Sequence, residues 1–234
     1  MSIQKVTTIP LIFILTLFLT NFSVAQSGEG EIDRNSLNDL ATSSVVPKKT
    51  NTETIGNPYI FDRYIQGTIT LTNGSKTDVL YMNLNVYEDR LEYQDNDRIM
   101  AIESGRVTSF EFYDMDKIRI FKKGYSAKGL DSDEFVEVYG TGKASLLIKH
   151  EVSLQENMPS YGTATETEEY IDDEVYYIYN DGETSKLRRL KERFILRELD
   201  NSKALKSYIN QKNLDMNNVD HVAALINYYN QQNS

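Results

Sequence analysis

The chain of 234 residues has no cysteine and no tryptophan, and it has only two histidines. Without cysteine the fold can contain neither a disulfide nor a thiolate metal site. A chain of this length does not need such staples, because folding alone buries most of its apolar surface. The lack of cysteine also excludes a cysteine nucleophile, and a Ser-His-Asp triad would have to use His150 or His221.

Positively charged residues are also fewer than negatively charged ones, with 25 Lys and Arg against 35 Asp and Glu and a net charge of -10. This balance argues against binding of nucleic acid or anionic lipid through a general electrostatic field. After residue 25 the sequence has no apolar run near the ~20 residues that a membrane-spanning helix needs. We therefore expect no nucleic-acid partner and no transmembrane segment in the mature chain.

The one long apolar run, residues 9–19, follows Lys5 and is typical of a secretory signal peptide. Ser23 and Ala25 are small residues where a signal peptidase requires them, so we predict a signal peptide over residues 1–25 with cleavage between Ala25 and Gln26. An uncleaved anchor is the alternative, although the run is short for one. Removing Lys5 and no acid changes the net charge from -10 to -11.

No cysteine stands at the cleavage junction, which excludes a lipoprotein anchor. An exported protein of this size without disulfides is more typical of bacteria than of a eukaryotic secretory route. We therefore expect the protein in the periplasm or on the outer surface of a Gram-negative bacterium.

Residues 26–57 are rich in Ser, Thr, Asn and Glu without a sustained period, which predicts a flexible leader. Residues 58–189 alternate between apolar and polar, as Ile69 and Leu71 do among threonines, which predicts β-strands. Asn73-Gly74 is predicted to supply both positive-φ positions of a type I′ turn, and Asp181-Gly182 a second hairpin turn. The connections are too short for parallel crossovers, so the sheet is predicted to be an antiparallel meander.

The period becomes helical over residues 190–230, with Asp200 or Ser202 capping the second of three short helices, and residues 231–234 form a tail. The fold class predicted is mainly β (α+β). In it an antiparallel meander forms a curled sheet, barrel or sandwich, and about three short C-terminal helices cover it.

Motifs for catalysis or cofactors are missing. His150 and His221 have no metal-motif spacing, and there is no Gly-x-Ser-x-Gly. The glycines at 140 and 142 do not have phosphate-loop spacing and predict a turn instead. Residues 131–134 and 172–174 are acidic but lack the glycine-bearing loop of an EF-hand. We predict no catalytic, cofactor-binding or metal-binding residue.

Charge is segregated near the C-terminus. Residues 166–183 hold eight acids and no base, whereas residues 186–212 hold nine bases and three acids. We interpret this as intramolecular complementarity across the Asp181-Gly182 hairpin, and the alternative is a basic face that docks an acidic partner. Tyr176, Tyr177 and Tyr179 cannot all face the core of one strand, and they are our speculative binding surface.

Four segments carry a resemblance: residues 56–64 (GNPYIFDRY), 142–149 (GKASLLIK), 176–178 (YYI) and 228–230 (YYN). With them the chain, over about residues 56–230, is similar to a group of exported proteins of Bacteroidetes-type bacteria. The resemblance implies a location in the bacterial envelope and a domain of sheet plus helices. It implies no activity and no functional residue.

The leading functional hypothesis is an exported, non-catalytic envelope protein that acts by binding or in an assembly, with an envelope protein or a small ligand as partner. The first alternative is a lipocalin-like carrier of a small apolar ligand. It predicts that five inward positions line a cavity: Leu80, Met82, Leu84, Phe110 and Phe112. The second alternative is a carboxylate-based glycan hydrolase, which needs two acids about 5–10 Å apart in a cleft.

Overall fold

The computed structural model of the protein describes residues 41–45, 53–115, 117–157, 167–200 and 202–233. The expected signal peptide, its cleavage between Ala25 and Gln26 and most of the expected leader lie outside these residues. Within the described ranges, no helix combines the length and apolar character that crossing a membrane requires.

Twelve strands and three α-helices make up the described part of the chain. The strands are β1 (Ala41–Ser44), β2 (Glu53–Ile55), β3 (Ile65–Leu71), β4 (Leu80–Asn85), β5 (Arg90–Asp95), β6 (Arg98–Ile102), β7 (Val107–Asp114), β8 (Lys117–Lys122), β9 (Val136–Tyr139), β10 (Ala144–Asn157), β11 (Thr167–Asn180) and β12 (Glu183–Lys186). The helices are α1 (Glu192–Glu198), α2 (Lys203–Lys212) and α3 (Val219–Gln232). A 3-10 turn, Ser104–Arg106, precedes β7.

All described strands belong to one sheet, in the order β1-β6-β5-β4-β3-β7-β8-β9-β10-β11-β12, with β2 paired to β11 outside this path. The predicted fold class, a mainly β antiparallel sheet with C-terminal helices, is confirmed. Among the three forms left open, the structure has a single sheet that does not close. Every described strand pair is antiparallel except β2 with β11.

The predicted flexible leader contains two strands that the sequence pattern did not indicate. Ala41–Ser44 pairs with β6, and Glu53–Ile55 pairs with the outer end of β11. Short strands at the margin of a sheet are held by backbone hydrogen bonds, which need no alternation of side chains. Composition alone therefore does not indicate these two strands.

The two predicted hairpin turns differ. Asp181 and Gly182 both have positive φ, at 53° and 93°, as a type I′ turn requires. Around Asn73-Gly74 only Gly74 has positive φ, at 84°, so this turn is not type I′. The Asn73 side chain accepts hydrogen bonds from the Ser75 backbone and hydroxyl, which stabilises the other conformation.

Strands β3–β8 surround one core, in which the five positions of the carrier hypothesis are packed together. Phe110 and Phe112 are fully buried, with ring centroids 5.3 Å apart in an edge-to-face arrangement. The carrier hypothesis required these side chains to line a cavity, and their packing contradicts that expectation. Only Leu84 reaches the edge of a cleft.

The helices pack on the inner half of the β10–β11 hairpin and form a second core with Leu146 and Ile148. Leu147 faces the opposite side and belongs to a third, smaller core. Ser202, one of the two predicted caps, accepts a hydrogen bond from the Leu205 backbone and caps α2.

Helix α3 also covers the start of β10. The Oδ1 atom of Asn230 accepts a hydrogen bond from the Ala144 backbone N–H at 2.8 Å, and its Nδ2 donates to the Ala144 carbonyl at 2.8 Å. The turn before β10 fits closely under the same helix. A Cβ on Gly140 (φ 84°) would lie 2.8 Å from Ile226 Cγ2, which explains a glycine there.

Replacing Asn230 by alanine should lower the free energy of unfolding by about 2 to 3 kcal/mol, because it leaves two buried backbone groups of Ala144 without partners. Urea denaturation measures this change. Asn227→Ala on the exposed side of α3 is the control and should cost less than about 0.5 kcal/mol. Equal effects of the two variants would contradict the assigned role of Asn230.

Candidate functional site

The β10–β11 hairpin extends beyond the rest of the sheet and forms one side of a cleft. Strand β10 has fourteen residues, but β9 pairs with only three of them, Leu146 to Ile148. Beyond Ile148 the hairpin separates from β9, and the turn after β4 together with residues 58–60 forms the opposite side. The cleft consists of three adjoining cavities of about 500, 240 and 420 Å³, which share lining residues such as His150 and Tyr59.

The lining of this cleft is strongly acidic. Its carboxylates are Glu88, Asp89, Glu134, Glu151, Glu168, Asp172, Asp173 and Glu174. Against these eight acids the described part of the lining has three permanent cations, Arg90, Arg119 and Lys149, each already paired with a carboxylate of the protein. The described lining therefore carries a surplus of negative charge.

The register of the hairpin places like charges directly opposite each other. Glu151 faces Asp173 across β10 and β11, and Glu156 faces Glu168 nearer the tip. Facing like charges destabilise a sheet. Lys149 lies 3.1 Å from Glu151 and compensates for only part of this repulsion.

One end of the cleft is held by a buried cluster of four residues, Arg119, Glu137, Tyr139 and His150, here called the Glu137 cluster. Glu137 is 1% exposed. Its carboxylate accepts two hydrogen bonds from Arg119 and one from Tyr139, all at 2.7 Å, and lies 2.8 Å from His150 Nε2. Burial alone would raise the pKa of Glu137, but the hydrogen bonds from Arg119 and His150 outweigh it and bring the pKa to about 2.

This arrangement fixes the imidazole of His150 at the side of the cleft. Its Nε2 is held by Glu137, and its Nδ1 lies 3.7 Å from the Glu174 carboxylate. The ring also lies against Phe121, with centroids 6.0 Å apart. His150 thus joins the buried cluster to the β11 side of the cleft.

A second buried carboxylate holds the opposite side. In what we call the Glu92 cluster (Tyr59, Tyr64, Arg90 and Glu92), the fully buried Glu92 accepts two hydrogen bonds from Arg90. The hydroxyls of Tyr64 and Tyr59 donate to the other oxygen, at 2.6 and 3.2 Å. Burial and the hydrogen bond to Glu92 raise the pKa of Tyr64, which keeps its hydroxyl a neutral donor.

Residues 58–64 connect the two clusters. Tyr59 lines the cleft while its hydroxyl is bound to Glu92. Phe61 packs edge-to-face on Phe112, and the guanidinium of Arg119 lies 4.9 Å from the Phe61 ring. The cation–π contact places one member of the Glu137 cluster directly against the segment that the Glu92 cluster anchors.

Of the three tyrosines in the speculative binding surface, the structure buries Tyr177 and leaves Tyr176 and Tyr179 half-buried. Tyr177 is 0% exposed and its hydroxyl donates to the Gly129 carbonyl. Tyr179 packs with Tyr177 in the third core, and Tyr176 points to the other face, where its hydroxyl bonds Glu174. A loop and the helical cover occupy the two faces of this strand, so alternation does not imply exposure here.

The charged C-terminal half also differs from our interpretation. Acids of the first stretch pair with other residues: Asp181 with Lys143 and Glu174 with His150. In the basic stretch, Arg197 pairs with its neighbour Glu198, while the side chains along the outer surface of α1 and α2 are exposed. The hairpin pairing of β11 and β12 places Glu183 opposite Asn180 and Lys186 opposite Tyr177, so facing opposite charges do not account for the pattern.

Other candidate residues have structural contacts. His221 Nδ1 accepts a hydrogen bond from the Asp215 backbone, and Glu134 accepts one from the Asp131 backbone. Within the described ranges no group of three or more His, Asp or Glu side chains is arranged to hold a metal ion. Arg119, Glu137 and Glu92 belong to no recognisable sequence motif, and the fold brings Arg119 to the lining of the cleft and buries the two glutamates beside it.

Comparison with protein-family models, curated proteins and solved structures finds no match for this chain.

Proposed function

We propose that the protein is an exported, non-catalytic binding protein of the bacterial envelope, and that the cleft is its binding site for a cationic ligand within an assembly. The observation that carries the proposal is the surplus of carboxylates in the cleft, whose cations are already paired within the protein. Complementary charge across an interface gives specificity and speeds association.

The repulsion within the hairpin supports the same ligand chemistry. Glu151 and Asp173 face each other at a cost to stability that a bound cation would relieve. The cleft is also held in one shape, because buried carboxylates anchor both of its sides. A preformed site loses less entropy when it binds.

The non-catalytic part of the proposal is supported by how the deepest acids are used. Glu137 and Glu92 direct their oxygens at arginine and tyrosine donors within the protein. A general acid must carry a proton near neutral pH, and the pKa of Glu137, at about 2, is far too low for that.

Calorimetric titration with tetralysine at low salt tests the binding site. Asp172→Asn/Asp173→Asn is expected to weaken binding about tenfold, since each partly exposed ion pair contributes up to about 1 kcal/mol. In the absence of ligand the same variant should melt at a slightly higher temperature, because the repulsion between Asp173 and Glu151 is removed.

The control variant is Glu183→Gln/Glu192→Gln, which removes the same charge from exposed positions outside the cleft. It should keep nearly the affinity of the unmodified protein. Equal weakening by the two variants would mean that tetralysine responds only to net charge, and the cleft would lose its role. Export is tested separately: N-terminal sequencing of protein from the envelope fraction should begin at Gln26.

A further inference from the structure

The backbone edge of β10 that faces the cleft is satisfied at one end and open at the other. In a strand, each residue directs its N–H and C=O to one side, and the side alternates along the chain. The Asp181 N–H donates to the Lys143 carbonyl at 2.9 Å, so the backbone groups of Lys143 point toward β11. The register then continues without a shift to Asn157, so the backbone groups of the even-numbered residues of β10 point away from β11.

Among the described residues, these outward groups have partners over the first half of the strand. Ala144 is hydrogen-bonded by the Asn230 side chain, and Leu146 and Ile148 lie opposite β9. His150, Val152 and Leu154 follow, and no strand among the described residues pairs with them on that side. All three line the cleft.

We propose that the ligand of the cleft is an extended cationic segment of a partner polypeptide, which adds as a strand to β10 at His150, Val152 and Leu154. This inference rests on the proposed function of the cleft and specifies its ligand class. Strand addition uses the backbone for affinity and alternate side chains for specificity. Three residues on one edge offer six backbone groups, enough for a segment of about five residues.

Charge decides which strand is accepted. The acids beside this edge, including Asp89, Glu151 and Asp172, favour lysine and arginine side chains on the incoming segment. They also disfavour a second copy of this chain pairing edge to edge, because two such acidic edges would repel each other. An isolated polyamine would satisfy the charges but leave the backbone edge open.

Amide hydrogen exchange by NMR, on protein labelled with nitrogen-15, tests the proposal. The probe is the blocked peptide Lys-Val-Lys-Val-Lys, and spermine is the control that has charge without a backbone. With the peptide, the amides of His150, Val152 and Leu154 should exchange at least about tenfold more slowly. The amides of Lys149, Glu151 and Ser153 already face β11 and should change little.

A proline variant gives a second measurement. Val152→Pro removes one N–H that faces the cleft, a position where proline is tolerated because it donates no ladder hydrogen bond. It should weaken the peptide about five- to tenfold, whereas Val152→Ala should not. The melting temperature of each variant confirms that it is folded.

The outcomes separate the two proposals. If peptide and spermine both bind in the cleft without alternating protection, strand addition is wrong and the cationic site stands. If neither binds, both are wrong. If the three amides are already protected in the free protein in a concentration-dependent way, a second copy occupies the edge and the partner proposed here is wrong.

Discussion

Glu137→Gln is expected to lower the free energy of unfolding by about 3 to 5 kcal/mol, among the largest effects of any single substitution in this chain. The carboxylate accepts hydrogen bonds from Arg119, Tyr139 and His150 in a site that water does not reach. Glutamine would keep the shape but remove the charge that compensates Arg119. It would also turn an N–H₂ group toward neighbours that are themselves donors.

The same carboxylate makes the free energy of unfolding depend on pH. Its pKa in the folded protein, about 2, lies below the ordinary value of 4.5, so its contribution is complete above pH 4.5 and is lost as the pH falls toward 2. The shift corresponds to about 3 kcal/mol. Urea denaturation at several pH values between 2 and 7 should show this loss in the unmodified protein and a much smaller one in Glu137→Gln.

Glu111→Gln is the matched control, since Glu111 pairs with Lys76 at the surface of the adjoining part of the sheet. It should cost less than about 1 kcal/mol. A second variant, Arg119→Met/Glu137→Leu, removes both charges and should recover much of the loss. If Glu137→Gln were as stable as the unmodified protein with the same acid profile, the carboxylate would not be the ionised centre of the cluster.

Much of the fold follows from local pattern. Alternation predicted strands over residues 58–189, which contain β3 to β12, and the change of period predicted three helices over residues 190–230. Asp181-Gly182 shows why this works: residues that tolerate positive φ stand where a two-residue turn needs them. The pattern did not indicate β1 and β2, because each strand is short and lies at the margin of the sheet.

The cleft could not be predicted in the same way. It exists because β9 has four residues and β10 fourteen, so that the hairpin extends past its neighbour. Strand length from sequence gives no information on where two strands separate. Register and the packing of distant segments decide it.

Alternation alone would also assign the wrong face to the charged residues beside the cleft. In β8, Ile118 is 62% exposed while the neighbouring Arg119 turns inward to Glu137. In β9, Glu137 stands between two valines, a pattern typical of a solvent-facing acid, yet it is buried. At Val136 and Glu137 both faces of β9 are buried, so a charged residue there must find partners within the protein.

Glu92→Gln is expected to lower the free energy of unfolding by about 3 kcal/mol, for the same physical reason on the other side of the cleft. Glu92 is fully buried and its two oxygens accept hydrogen bonds from Arg90, Tyr64 and Tyr59. Losing its charge leaves Glu88 as the one compensating carboxylate of Arg90 among the described residues. Residues 58–64 should then exchange their amide hydrogens faster, which mass spectrometry of peptic fragments detects.

Two control variants set the scale for this loss of unfolding free energy. Tyr64→Phe removes one donor and should cost about 1 to 2 kcal/mol, while Tyr81→Phe, at an exposed position, should change the free energy by less than about 0.5 kcal/mol. Unchanged exchange of residues 58–64 in Glu92→Gln would show that this carboxylate does not anchor the segment.

The double variant Glu92→Gln/Glu137→Gln then asks whether the two sides of the cleft act as one unit. Phe61 lies between the clusters, against the guanidinium of Arg119 and on the segment that Tyr59 and Tyr64 hold. The loss of unfolding free energy in the double variant should therefore be smaller than the sum of the two single losses, by about 0.5 kcal/mol or more. If the losses of unfolding free energy in the two single variants simply add in the double variant, the two sides of the cleft are independent. A ligand that binds to one side would then leave the other unaffected.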